Sequence, residues 1–333
     1  MDKTLYDLSK RGIDFLGCEH SIMAGAMSWI SENNLVSAVC NAGAFGVIAA
    51  GAMPAELLEK EIQKCKEKTN KNFGVNLIVM HPDLDSLIDV CIKNRVSHVI
   101  LAGGIPMSLH IEKLKNNNIK TVAFAPNLTV AKRLMKNGID ALIIEGFEAG
   151  GHIGQVSTCV LAQEILPQIK DVPVFVAGGI GRGDAMASFL LQGASGIQMG
   201  TKFVCTEECI AHENFKNSFL RASARDAVST IQVDPDFRII PVRALYNKGS
   251  YEFIKFQNQT ISEFKEGKIS KEDAQLKIEH YWAGALKRAV IDGDVEYGSL
   301  MAGQSVGMCD KILSTKDLLI EFIKEAEYFL NKY

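Results

Sequence analysis

The sequence predicts an α/β chain folded as a (β/α)8 TIM barrel, with a helical lid subdomain inserted after the eighth strand. Three observations lead there: eight short apolar runs, most of which end in glycine or another small residue, helical periodicity between them, and loss of that rhythm beyond Phe203. The runs cover 22–25, 46–51, 73–79, 98–104, 121–126, 141–146, 172–179 and 196–203. Near-continuous apolar runs suit strands buried on both faces. Alternation with helices implies parallel strands joined by right-handed crossovers. Eight repeats favour a closed barrel over an open, doubly wound sheet.

The connecting segments read as amphipathic helices. Pro54 suits a helix start, and Leu57, Leu58, Ile62 and Cys65 follow on one side. Leu84, Leu87, Ile88 and Cys91 repeat the spacing, as do Val130, Leu134 and Met135, with Gly138 closing that helix. Residues 206–295 read as helices and loops, and Ser270 with Asp273 forms a capping pattern that opens a helix toward Arg288. A last helix begins at Ser314; its stripe of Leu318, Leu319, Phe322, Ile323, Ala326 and Phe329 should pack on the barrel wall. The expected parts are therefore a barrel over 1–205, a lid over 206–295 and a segment over 296–333 that returns to the barrel.

A chain of 333 residues exceeds the usual single-core size, in line with a barrel plus an addition. A net charge of −3 and a pI of about 6.2 give no basic face for nucleic acid. The sequence has no apolar run long enough to span a membrane, and its first residues lack the apolar core of a signal peptide. A cytoplasmic location with no membrane partner is expected, and a homodimer is compatible with the sequence. The eight cysteines are scattered and read as reduced thiols. Cys205, Cys209 and His212 have metal-like spacing, but a fourth ligand and a CxxC pair are missing, so no metal is expected.

In this fold chemistry sits at the carboxyl ends of the strands, so the residues closing each run are the site candidates. Those at Gly25, Ala26, Met27, Glu145, Ala177, Gly178, Gly179, Gln198, Gly200 and Thr201 are mostly small. Small residues let backbone approach a planar cofactor closely. The ends of the seventh and eighth strands, Gly179 and Gly200–Thr201, resemble a phosphate site, against the plainer reading of two tight turns. Asn76 is an amide inside an apolar strand and must find partners, either in the core or on a ligand edge. The segment 145–154 is glycine-rich and projects one imidazole, His152, which is the candidate catalytic group.

Several stretches together resemble the nitronate monooxygenases, also called 2-nitropropane dioxygenases. They are Met27-Ser28-Trp29, Phe73-Gly74-Val75-Asn76, Glu148 through Gly154, Ala177-Gly178-Gly179-Ile180, Gly200-Thr201-Lys202-Phe203 and Gly298 through Gln304. The flavin-dependent enoyl-acyl-carrier-protein reductases are similar to the same degree. The resemblance implies FMN, with its phosphate at Gly179, Gly200 and Thr201. It puts the flavin ring near Gly25, Ala26, Met27, Asn76 and Gln304, and His152 facing a small-molecule substrate. The chain departs from the family at Ala24-Gly25-Ala26-Met27, where Gln-Gly-Gly-Met is frequent, and at Lys202, where arginine is common.

The first expectation is oxidation of alkyl nitronates with O2 to carbonyl compounds and nitrite. The alternative is enoyl-acyl-carrier-protein reduction with NAD(P)H as electron donor. In that case Arg221, Arg225, Arg238, Arg243, Lys287 and Arg288 offer basic residues to the carrier protein. NAD(P)H:quinone reduction shares the first half-reaction. A non-catalytic FMN-binding protein is the remaining class, and it leaves a glycine-flanked titrating residue without a purpose.

Overall fold

A computed structural model describes residues 1–332. All eight expected barrel strands are present: β1 (Ile22–Ala24), β2 (Val47–Ala49), β3 (Gly74–Ile78), β4 (His98–Ala102), β5 (Lys120–Phe124), β6 (Ala141–Glu145), β8 (Val174–Ala177) and β9 (Gly196–Met199). A two-residue strand, β7 (Gly151–His152), precedes the seventh barrel strand. The barrel strands are parallel, in the order β1-β9-β8-β6-β5-β4-β3-β2. The circle closes through a single bridge, Met23 to Phe45, between β1 and the residues leading into β2.

Alternation along these strands builds two apolar layers. Met23, Phe45, Val47, Ile100, Val122, Ile143 and Phe175 fill the barrel interior. Their neighbours, such as Val75, Leu101, Leu142 and Val176, face the surrounding helices. In the helix Ala55–Lys68, Leu58, Ile62 and Cys65 are buried as expected, whereas Leu57 faces outward. The final helix, Thr315–Lys332, buries Leu318, Leu319, Phe322, Ile323 and Ala326. It lies so close to Gly183 that a Cβ there would sit 2.0 Å from Phe322 O, so the contact requires glycine.

The amino-terminal helix, Lys3–Leu16, plugs the barrel floor with Phe15 and Leu16. His98 is buried beneath it, with Nε2 3.0 Å from Phe15 O, Nδ1 2.9 Å from Ser97 Oγ, and its ring edge-on to Phe15 and Phe45. Burial in this apolar floor drives the His98 pKa down from 6.5 to about 4. The unfolded chain therefore binds the extra proton first. Stability is intact above pH 6.5 and is lost as pH falls toward 4, by about 3 kcal/mol from this group. His98→Leu should flatten that part of a pH series of urea denaturations, whatever its offset at neutral pH; an unchanged slope would mean that His98 is already charged when folded.

The 206–295 region differs from the expected helices and loops. It holds the helices Glu213–Arg221, Lys248–Lys265 and Lys271–Asp292, but also two strands, β10 (Ala227–Ser229) and β11 (Val242–Leu245). With β12 (Leu300–Met301) and β7 they form a four-stranded sheet in which β11 pairs antiparallel with the other three. Ser270 caps the helix Lys271–Asp292 as read, through Asp273 N at 3.0 Å. No described helix is long and apolar enough to cross a membrane.

Candidate active site

The barrel mouth gathers most of the residues singled out from the sequence. The chain turns at Gly178 and Gly179 with φ of +93° and +73°, a region glycine occupies without strain. The N–H groups of Gly179 and Gly200 make no hydrogen bond within the described residues. Thr201 Oγ1 accepts from Gly303 N at 3.0 Å and keeps its own proton free to donate. Met27 packs on Gly200, and Gln198 lies against Gly25, each 3.4 Å from where a Cβ would stand. Asn76 makes one long bond, Nδ2 to Ile100 O at 3.4 Å. Its carbonyl oxygen and the Gln198 amide have no protein partner among the described residues, although both residues are buried. Lys202 does not face the mouth; its Nζ donates to Met308 O at 2.7 Å.

The segment after β6 is fastened at several points before it reaches His152. Glu148 accepts from both N and Oγ1 of Thr158, each at 2.9 Å, which ties the segment to the start of the helix Thr158–Ile165. Glu148 O accepts from Gln304 N at 2.9 Å, so Gln304 holds this loop through its backbone. Gly150 presses on Ala302 and Gly303, where a Cβ would be 2.5 Å from Gly303 N. His152 then pairs with Val242 of β11. Its Nε2 lies 3.0 Å from Glu279 Oε2 on the helix Lys271–Asp292.

Electrostatics here favour the imidazolium. Partial burial pushes the His152 pKa down, but the hydrogen bond and charge of Glu279, together with the charge of Glu145, outweigh it and raise the pKa above 6.5. Glu145, at the end of β6, has no hydrogen-bond partner among the described residues, and burial lifts its pKa to about 7 against the pull of His152. Two acidic side chains thus act on one imidazole, and both favour its protonated, donating form. Glu279→Gln removes the larger of the two charges acting on His152, so the imidazole should titrate at lower pH. Activity that needs the imidazolium should then fail earlier as pH rises. An NMR titration of His152 reads the shift directly; an unmoved curve would mean that Glu279 does not set its charge.

Two residues important to this geometry escaped the sequence reading. Glu279 looked like any charge on an amphipathic helix. Arg243 was grouped with the surface cations, yet it is 2% exposed and unavailable to a carrier protein. Its guanidinium donates to Phe147 O at 3.2 and 3.0 Å and to Ala227 O at 2.6 Å, and it stacks 4.4 Å from the Phe147 ring centre. Cys205 and Cys209 are buried thiols, and His212 Nδ1 accepts from Asn214 N to cap the helix Glu213–Arg221.

A parallel barrel whose mouth holds unpartnered amides, open backbone donors and a carboxylate-flanked histidine is that of a cofactor-using oxidoreductase. The chain belongs to the nitronate monooxygenase family, a family of flavin-dependent oxidoreductases, which it matches over residues 9–89 and 84–325. It is 36% identical to FabK from Thermotoga maritima, with a TM-score of 0.86 over 97% of both chains. A (3aS,4S,5R,7aS)-5-hydroxy-7a-methyl-1-oxo-octahydro-1H-indene-4-carboxyl-CoA dehydrogenase from Rhodococcus jostii (strain RHA1) is 30% identical, over 94% of each chain. A probable nitronate monooxygenase from Staphylococcus saprophyticus is 28% identical, over 98% of this chain and 99% of that one.

Proposed function

We propose that this chain is an FMN-dependent reductase of enoyl thioesters drawing electrons from NAD(P)H. The observation that carries the reading is His152 held as a proton donor by Glu279, with Glu145 adding a second carboxylate. A neutral thioester can enter between two carboxylates. Charge builds on its carbonyl oxygen only as the carbon–carbon double bond is reduced, and the His152 N–H meets it there. Similarity to FabK and to a carboxyl-CoA dehydrogenase supports a thioester substrate.

The residues at the mouth fit FMN. The free N–H groups of Gly179 and Gly200 and the Thr201 hydroxyl would receive the phosphate. Asn76, Gln198 and Glu145 would meet the polar edge of the ring, while Gly25, Ala26, Met27, Ala177 and Gly178 give it room. Gln198 supplies the amide that the first strand lacks. Bound FMN would supply the hydride chemistry. His152 would orient the thioester carbonyl and donate a hydrogen bond to the oxygen on which enolate charge develops, and Glu279 would stabilise the imidazolium while it does so.

Nitronate oxidation, the first expectation from the sequence, is the second reading, because the same imidazolium would hold a nitronate oxygen. Anaerobic mixing with NADH, NADPH or propyl-2-nitronate, followed by flavin absorbance, separates the two. Fast bleaching by NAD(P)H with reoxidation by crotonyl thioester is expected. Bleaching by nitronate, without any by NAD(P)H, would overturn the thioester reading.

A further inference from the structure

We infer that a notch between the small sheet and the helix Lys271–Asp292, with the groove it adjoins at the start of the helix Lys248–Lys265, receives the amide-bearing, pantetheine-type arm of the substrate thioester, an inference that rests on the thioester reading above. The argument begins with two orphaned groups. Trp282 Nε1 and Ser299 Oγ are buried, their residues each 5% exposed, and neither has a hydrogen-bond partner. An unpaired buried indole N–H and hydroxyl cost free energy unless something arrives to meet them. Both line one notch with about 10 Å³ of free room, enough for a single oxygen-sized group. The notch adjoins a groove of about 370 Å³ bounded by Tyr246, Tyr251 and Tyr297.

The notch lies on a line from His152. Along β11, Val242 sits opposite His152, and Ala244, which lines the notch, is on the same face two residues further on. Tyr246, at the groove, comes two residues later again, so the groove begins about 13 Å from the histidine. The opposing helix repeats the direction: Glu279 touches His152, and Trp282 and Ala285 follow at three-residue steps on the same side. From sulfur to its far hydroxyl, the arm has about a dozen bonds in line, roughly the reach of four extended residues. One of its two amide carbonyls would accept from the indole and the hydroxyl.

Charge at the rim favours this neutral chain over a phosphate-rich nucleotide. Lys248 is paired with Glu296, and Arg288 lies 3.7 Å from Asp294 and donates to Tyr297 O at 3.1 Å. Asn247 fixes the entrance by donating to Val295 O at 2.9 Å and Gly298 O at 2.8 Å.

The test compares Ser299→Ala and Trp282→Phe with the parent holoenzyme, using crotonyl-pantetheine and, as a substrate lacking both amides, the crotonyl thioester of ethanethiol. KM for the pantetheine thioester should rise about tenfold in each variant, the effect of one lost hydrogen bond. KM for the ethanethiol thioester and kcat for both should stay within about twofold. In the parent with oxidised flavin, crotonyl-pantetheine should shift the Trp282 indole N–H resonance. An equal KM rise on both substrates would make the two residues structural and overturn the inference. So would an indole resonance that ignores the arm, as a buried water would leave it, or one that answers to NADPH alone. If both thioesters turn over and neither variant distinguishes them, only the groove assignment falls. If neither thioester binds or reoxidises the flavin, the thioester reading falls and the groove assignment with it.

Discussion

Replacing His152 with alanine is expected to lower turnover with the organic substrate by about 10² to 10⁴, the range for one positioned acid–base group. FMN content should be unchanged, because the residues proposed for its phosphate stand just beyond the ends of β8 and β9 while His152 sits on β7. Flavin reduction by NAD(P)H should suffer much less, since hydride arrival on the flavin asks for no proton from this imidazole. The His152–Glu279 pair is half-exposed, so its loss should scarcely move Tm. Flavin content, Tm and the two half-reaction rates on one preparation decide the matter. Loss of flavin together with activity would make His152 a structural clamp, and full turnover would remove it from the mechanism.

Gly179→Asp is expected to weaken FMN binding by at least about a hundredfold while the barrel still folds. Three effects act together. The backbone has φ +73°, which costs a side chain about 1–2 kcal/mol. A new Cβ would stand 3.0 Å from Glu148 Cβ, so the added carboxylate also faces an existing one. The third effect is repulsion of the phosphate itself. Gly179→Ala carries the strain without the charge, and the difference between the two variants in an FMN titration isolates the electrostatic part. If both variants bind FMN equally well, the phosphate lies elsewhere.

The barrel was legible because its strands are apolar on both faces and most are followed by a small residue, a pattern periodicity detects. The turn at Gly178 and Gly179 was legible for the same reason. The small sheet was not: β7 and β12 have two residues each, too short for any alternation to register. Arg243 could not be placed because a buried guanidinium held by carbonyls leaves the same mark in sequence as a solvated one. Glu279 was hidden by distance, since 127 residues separate it from His152 and only the folded lid brings them together.

The pairing of β7 with β11 decides to which body the histidine belongs. His152 is encoded within the barrel, yet its backbone is laddered to the lid sheet and its side chain is bonded to a lid helix. Arg243 rivets the preceding Phe147 to that same sheet. Histidine and lid therefore travel together. A substitution that shifts β11 or the helix Lys271–Asp292 therefore shifts the imidazole with it, and reaches the active site without touching the barrel strands.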